Sequence, residues 1–275
     1  MYDFHMHSHH SVDSKEPLEG IIHRCLELGL EGFALTDHAN MRSQAKYPMT
    51  QYISESIADL AQAREKYAGQ LEILTGVECA DQADYPELFQ QVMDLGQYDV
   101  VLGSVHTVPF ENWCKDNVFA KEDLRAEDVT ADKLQRFSRE YYRQVQRIAE
   151  FGRVNILCHL NLPYRYINGK YGWGLDVNSH KEAVCAIFET IIPQGISLEI
   201  NTAGVGGTFN DTLPSREILT WYRDMGGKML TLGSDAHKAA HICNGFRETC
   251  QMLRDLGYDH TVGFRKQQPF EIALL

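Results

Sequence analysis

The sequence predicts an α/β protein folded as a closed β/α barrel. Three observations lead there. One unit recurs along the chain: an amphipathic helix, a glycine, a short apolar strand and then a polar residue. The strands read as continuous apolar runs, as expected of a parallel sheet covered by helices. Seven or eight such units follow one another without a Pro/Ser/Gly-rich hinge or a low-complexity stretch, so residues 1–275 read as one barrel domain.

In order, residues 2–4 form a first strand ahead of His5. Leu26-Glu27-Leu28-Gly29 ends a helix and leads to Phe33-Ala34-Leu35, then Asp37-His38. A helix near residues 50–67 precedes a strand at 71–77 and Glu78. Gly96 leads into 99–105 and His106, and Gly152 into 154–157 and His159. Gly195 leads into 197–200 and Asn201, and Gly226 into 229–232, Asp235 and His237. Each glycine stands where a helix ends in a left-handed residue. Residues 107–129 and 163–179 break the rhythm and are rich in turn residues, aromatics and charges. Both follow strand ends, on the face where barrels keep their active sites, so they are candidate substrate loops, with plain surface insertions as the alternative.

The formal net charge of −12 and the lack of any Lys/Arg run exclude long nucleic acid as a partner. An anionic substrate would therefore need bound cations, whereas an amine-bearing one would suit the acidic surface. Seven cysteines, an odd count without a CxxC pair, read as reduced thiols. No run approaches the ~18 apolar residues of a membrane span. The start has neither a basic n-region nor an apolar h-region, and a cytoplasmic location is the expectation. No pattern specifies an oligomeric state.

The chemistry lies at the strand ends. His5, His7, Asp13, His38, Glu78, His106, His159, Asp235 and His237 all fall at or just past one. His5 and His7, two apart on an extended segment, share a face and can reach one ion. Asp235 and His237 repeat the spacing with a mixed donor set. Imidazole with carboxylate suits Zn, Fe or Mn better than Mg or Ca. Each piece alone reads as readily as a solvated histidine, a turn residue or a helix cap. Their conjunction, on strand ends that a barrel gathers at one mouth, argues for a metal cluster.

His5-Met6-His7, Thr36-Asp37-His38, Gly76-Val77-Glu78, Gly103-Ser104-Val105-His106, Cys158-His159 and Gly233-Ser234-Asp235-Ala236-His237 resemble the successive motifs of the PHP (polymerase and histidinol phosphatase) family. Leu198-Glu199-Ile200-Asn201-Thr202 and a closing strand at 263–270 are similar to those of its histidinol-phosphate phosphatase branch. The resemblance implies a distorted (β/α)7 barrel, TIM-like, with its metal site at the C-terminal ends of the strands. It implies three divalent transition metal ions. His5, His7, Glu78 and Asp235 would hold one, Glu78, His106 and His159 a second, and Asp13, His38 and His237 a third. The stretch 203–208 lacks the basic residue expected of that branch, which bears on the substrate rather than on the metals.

The activity so implied is hydrolysis of a small phosphate ester, L-histidinol phosphate first among them, by a hydroxide bridging two metals. Three divalent ions against three carboxylates leave a pocket of about +3, a receptor for a phosphate dianion. Arg165 is expected to grip the transferring phosphoryl group, Asp235 or His237 to protonate the leaving oxygen, and His9 to touch phosphate or lie on the surface. Phe110 and Trp113 would stack on a substrate ring or pin their loop, while Glu111 and Asp116 would meet a substrate ammonium. Two alternatives stand: a PHP phosphoesterase for nucleotides or other small phosphate esters, and a non-catalytic metal-binding regulatory module.

Overall fold

The chain folds around seven parallel staves. The structure, a computed structural model, describes residues 1–111, 124–126 and 129–275. The strands are β1 (Tyr2–Asp3), β2 (Gly32–Leu35), β3 (His38–Asn40), β4 (Glu72–Ala80), β5 (Val100–Ser104), β6 (Ile156–Leu157), β7 (Ser197–Asn201) and β8 (Leu230–Gly233). They pair in parallel in the order β1-β2-β4-β5-β6-β7-β8. β2 and β3 are one stave: both pair with β4 in one register, Gly32 against Glu72 and His38 against Glu78, interrupted at Thr36-Asp37. The ends of the sheet meet, because Phe4 N–H donates to the Leu232 carbonyl and Asp235 N–H to that of His5. These seven staves are the seven strands read from the sequence.

Helices α1 (Leu18–Glu27), α2 (Met49–Lys66), α3 (Pro86–Met93) and α4 (Ala131–Phe151) cover the outside. They are followed by α5 (Leu162–Tyr164), α6 (Lys181–Gln194), α7 (Arg216–Asp224) and α8 (Phe246–Asp255). Among the described residues, no helix is long and apolar enough to cross a membrane. Gly29, Gly152, Gly195 and Gly226 take the left-handed conformation expected of them. Gly96 does not. A Cβ there would stand 3.2 Å from Ile57 Cδ1 of α2, so close helix packing is what asks for glycine.

Two regions differ from expectation. Residues 263–270 are not a barrel stave: β9 (His260–Arg265) and β10 (Gln268–Ala273) form an antiparallel hairpin. Its Val262 and Phe264 pack with Tyr2, Phe4, Leu74, Val100 and Ile156. Thr231 Oγ1 on β8 donates to the Val262 carbonyl at 2.8 Å. The hairpin thus plugs the end of the barrel that lies opposite the histidines. The stretch 163–179 is likewise no open loop. α5 runs into a π-helical turn, Arg165–Lys170, and Tyr164, Ile167 and Leu175 are buried in the main core.

Candidate metal centre

Leu74 of β4 packs in the lumen, and the two-residue repeat of a strand carries Gly76 and Glu78 on the same face toward the mouth. Glu78 is fully buried, and both its oxygens face imidazoles. Oε1 lies 2.9 Å from His159 Nε2 and 3.1 Å from His106 Nε2. Oε2 lies 2.7 Å from His38 Nδ1, 3.4 Å from His5 Nε2 and 3.7 Å from His7 Nε2. Asp235, just past β8, places Oδ1 3.2 Å from His7 Nε2 and 3.7 Å from His5 Nε2. Asp13, on the loop after β1, sits 3.4 Å from His38 Nε2 and 3.3 Å from His237 Nε2. All nine residues singled out in the sequence meet at one mouth.

The donor set fits divalent transition metals. His5 Nε2 and His7 Nε2 are buried and make no hydrogen bond, and His38 Nδ1 and Glu78 Oε2, 2.7 Å apart, have only each other at close range. An unpaired buried polar atom costs about 1–3 kcal/mol, and a shared cation would satisfy several together. Ligands about 2.0–2.1 Å from a tetrahedral ion stand about 3.3–3.4 Å apart. Separations of 3.2–3.4 Å across His7–Asp235, His5–Glu78, His38–Asp13 and His237–Asp13 match that edge. Proton placement agrees. His5 Nδ1 lies 2.5 Å from Glu199 Oε1, His106 Nδ1 2.8 Å from Asn40 Oδ1, and His237 Nδ1 3.0 Å from the Asp235 carbonyl. Those partners only accept, so each Nδ1 carries the proton and each Nε2 presents a lone pair to the centre.

The electrostatics show one crowded site. Burial alone would raise the Glu78 carboxyl, but the imidazoles of His106, His5 and His38 outweigh it and hold the group well below the carboxylate range. Asp235 is held down in the same way, against burial, by His5, His7 and His237. Burial acts to lower His38, yet Glu78 and Asp13 push it up to about 10. His7 goes the other way, lowered by burial and by the rings of His38 and His237, 4.1 and 4.3 Å away. Neighbouring imidazoles pulled in opposite directions cannot all be protonated, whereas bound cations would let all of them be neutral ligands.

Above the cluster opens a cavity of about 250 Å³, walled by Asp13, His38, His106, His159, Asp235 and His237. Arg165, on the turn after α5, lines the same cavity, and among the described residues no carboxylate pairs with it. Lys46 and Tyr166, not foreseen, also line it. His9 is elsewhere: it is exposed, and its ring lies tilted against His10, 4.1 Å between centroids, outside the cavity wall. Glu111 does not face the cavity either, since its carboxylate bonds the Arg136 guanidinium of α4 at 2.5 Å. Phe110 pins its segment edge-on against Phe137, 5.7 Å between centroids. Trp113 and Asp116 lie outside the described residues.

Sequence reasoning gave no role to Glu199. It is 1% exposed; besides His5 it accepts the His159 backbone N–H at 2.8 Å and the Asn201 amide at 3.3 Å. Asn201 also donates to Asp235 Oδ2 at 3.2 Å. The signal was present in Ser197-Leu-Glu-Ile-Asn201, where polar and apolar residues alternate. Its apolar residues Leu198 and Ile200 join the outer core, leaving the polar set for the lumen.

The PHP domain family matches residues 3–203. The chain is 26% identical over 267 residues to a probable histidinol-phosphatase from Thermotoga maritima, covering 94% of each chain. It is 27% identical over 251 residues to one from Deinococcus radiodurans, covering 89% of each. Its fold resembles the crystal structure of histidinol phosphate phosphatase from Lactococcus lactis, complexed with Zn, L-histidinol and phosphate. That similarity has a TM-score of 0.79 at 21% identity and covers 98% of both chains. With the family match spanning most of its length and its motif residues gathered at the barrel mouth, the chain belongs to the PHP domain family.

Proposed function

We propose that this protein is a metal-dependent phosphomonoesterase that hydrolyses a small phosphate ester, L-histidinol phosphate to L-histidinol in the first reading. The observation that carries the proposal is the convergence on Glu78 of imidazoles whose buried nitrogens have no other partner, at the floor of a cavity walled by Arg165. His5, His7, Glu78 and Asp235 would hold one ion, Glu78, His106 and His159 a second, and Asp13, His38 and His237 a third. When bound, the ions supply Lewis-acid charge to the phosphoryl oxygens and acidify the attacking water.

The chain's own residues do the rest. Glu199, itself buried, adds a fourth carboxylate to Asp13, Glu78 and Asp235, which reduces the formal charge of a three-metal pocket to about +2. Arg165 supplies a planar fork for the transferring phosphoryl group, beyond the ligands and on the same wall. Asp235, held well below the usual carboxylate range, has no proton to give near neutrality. His237, 29% exposed at the mouth, has its one proton on the Nδ1 that faces the Asp235 carbonyl and offers Nε2 to an ion, so protonation of the leaving oxygen falls to water. A cavity of this size admits a small ester and excludes a folded polymer.

Phosphate release by metal-loaded protein from a panel of esters tests the substrate. Histidinol phosphate should exceed a simple aryl phosphate in kcat/KM by at least about tenfold, or 1.4 kcal/mol. Lys46, lining the cavity with Arg165, favours a second reading in which the ester carries another anion, such as a nucleotide. A tenfold advantage for a nucleoside bisphosphate would replace the first reading with the second.

A further inference from the structure

We propose that Ser11 and Asp37 form a positioning relay that fixes the tautomer of His7, so that a lone pair on Nε2 rather than an N–H faces the metal centre. The inference rests on the metal reading above.

It follows from proton bookkeeping at one hydroxyl. A serine hydroxyl has one proton to donate and two lone pairs. Ser11 Oγ donates to Asp37 Oδ1 at 2.7 Å and accepts the His38 backbone N–H at 3.1 Å. One lone pair is left, and His7 Nδ1 stands 3.1 Å from it. The proton between them must therefore sit on His7 Nδ1. His7 is fully buried, so no solvent competes to set its tautomer. Its Nε2 makes no hydrogen bond and points toward Asp235 Oδ1.

The relay holds only if Ser11 cannot turn around, and Asp37 ensures that. Asp37 is 1% exposed. Its Oδ1 accepts from Ser8 N at 2.7 Å as well as from Ser11, and its Oδ2 accepts from Ser8 Oγ at 2.8 Å and Ser56 Oγ at 2.7 Å. With about four acceptor sites on a carboxylate, four donors fill it, and none of its oxygens has a proton to hand back to Ser11. His5, His106 and His237 rest directly on groups that can only accept. His7 rests on a hydroxyl, which could donate or accept, and so it needs a second residue behind the first. The same oxygen holds the backbone of His38, so one side chain sets the ring of one proposed ligand and the strand carrying another.

The test reads the tautomer before any metal or activity. In metal-free, ¹⁵N-histidine-labelled protein, His7 should show a protonated Nδ1 and a bare Nε2, assigned by its loss in His7→Asn. Ser11→Ala should replace that signature with a mixture of tautomers and weaken metal retention against a competing chelator by about 10–100-fold. Ser11→Thr, which keeps the hydroxyl, should restore both. Asp37→Asn should leave the signature in place, because the Ser8 N–H keeps an oxygen at the Oδ1 position to receive Ser11. A Ser11→Ala protein with the original tautomer and metal affinity overturns the proposal, as does a folded Ser11→Thr protein that fails to rescue. If the tautomers respond as stated but neither protein takes up metal, the relay stands and the metal reading fails.

Discussion

Both oxygens of Glu78 are spent on imidazoles from different staves, which makes this carboxylate the shared wall of two proposed metal positions. Loss of its charge removes a ligand from both, so Glu78→Gln should weaken metal binding by more than the roughly 100-fold upper range for outer contacts. His38→Asn, which touches a more open group with Asp13, should cost less; metal content after dialysis against a chelator separates the two. Arg165 holds no ion. Arg165→Ala should therefore keep its metals and lose roughly 100-fold or more in kcat, a split visible when kinetics and metal content are measured on one sample. Unchanged kinetics would make it a solvated side chain. The nine proposed ligand residues were legible because donor types recur at strand ends, a local pattern. Glu199 and Asp37 were not, because they act through partners far away in the chain, His5 at 194 positions and Ser11 at 26. Ser11 is only four positions from His7, but the distant Asp37 sets which way its hydroxyl points. His9 takes the surface position that was one of its two readings: it adjoins the motif in sequence, and the turn after His7 carries it outward.

The staves and most helix ends followed from periodicity and glycine placement, since those signals are local too. The C-terminal hairpin did not. Residues 263–270 were known only by their resemblance to a closing strand, and only three-dimensional packing shows them within a hairpin that closes the barrel from below. Gly263 marks how tightly it fits: an added Cβ would stand 2.4 Å from Phe4 Cζ and 2.8 Å from Phe270 Cζ. Gly263→Val should thus destabilise the fold by about 1–3 kcal/mol through overpacking, read as a lower Tm by calorimetry of the metal-free protein. An unchanged Tm would mean that the hairpin sits loosely. The segment after β6 taught a related lesson. Its turn-rich, aromatic sequence suggests an open loop, but the burial of Tyr164 and Ile167 folds it into a helix and π-turn that fixes Arg165 in the cavity wall.

At the scale of the molecule, charge and fold work in opposite senses. The chain carries −12, yet the barrel brings its histidines and buried acids to one end, where cations would make a local receptor for an anion. The hairpin fills the other end, so substrate has one way in. That arrangement stands or falls on whether the cluster binds metal at all. Elemental analysis of protein purified without chelator should find two to three transition metals per chain, with phosphatase activity lost on their removal and regained on their return. Folded protein carrying less than one metal per chain, or hydrolysing its ester equally well after complete removal, would contradict the account.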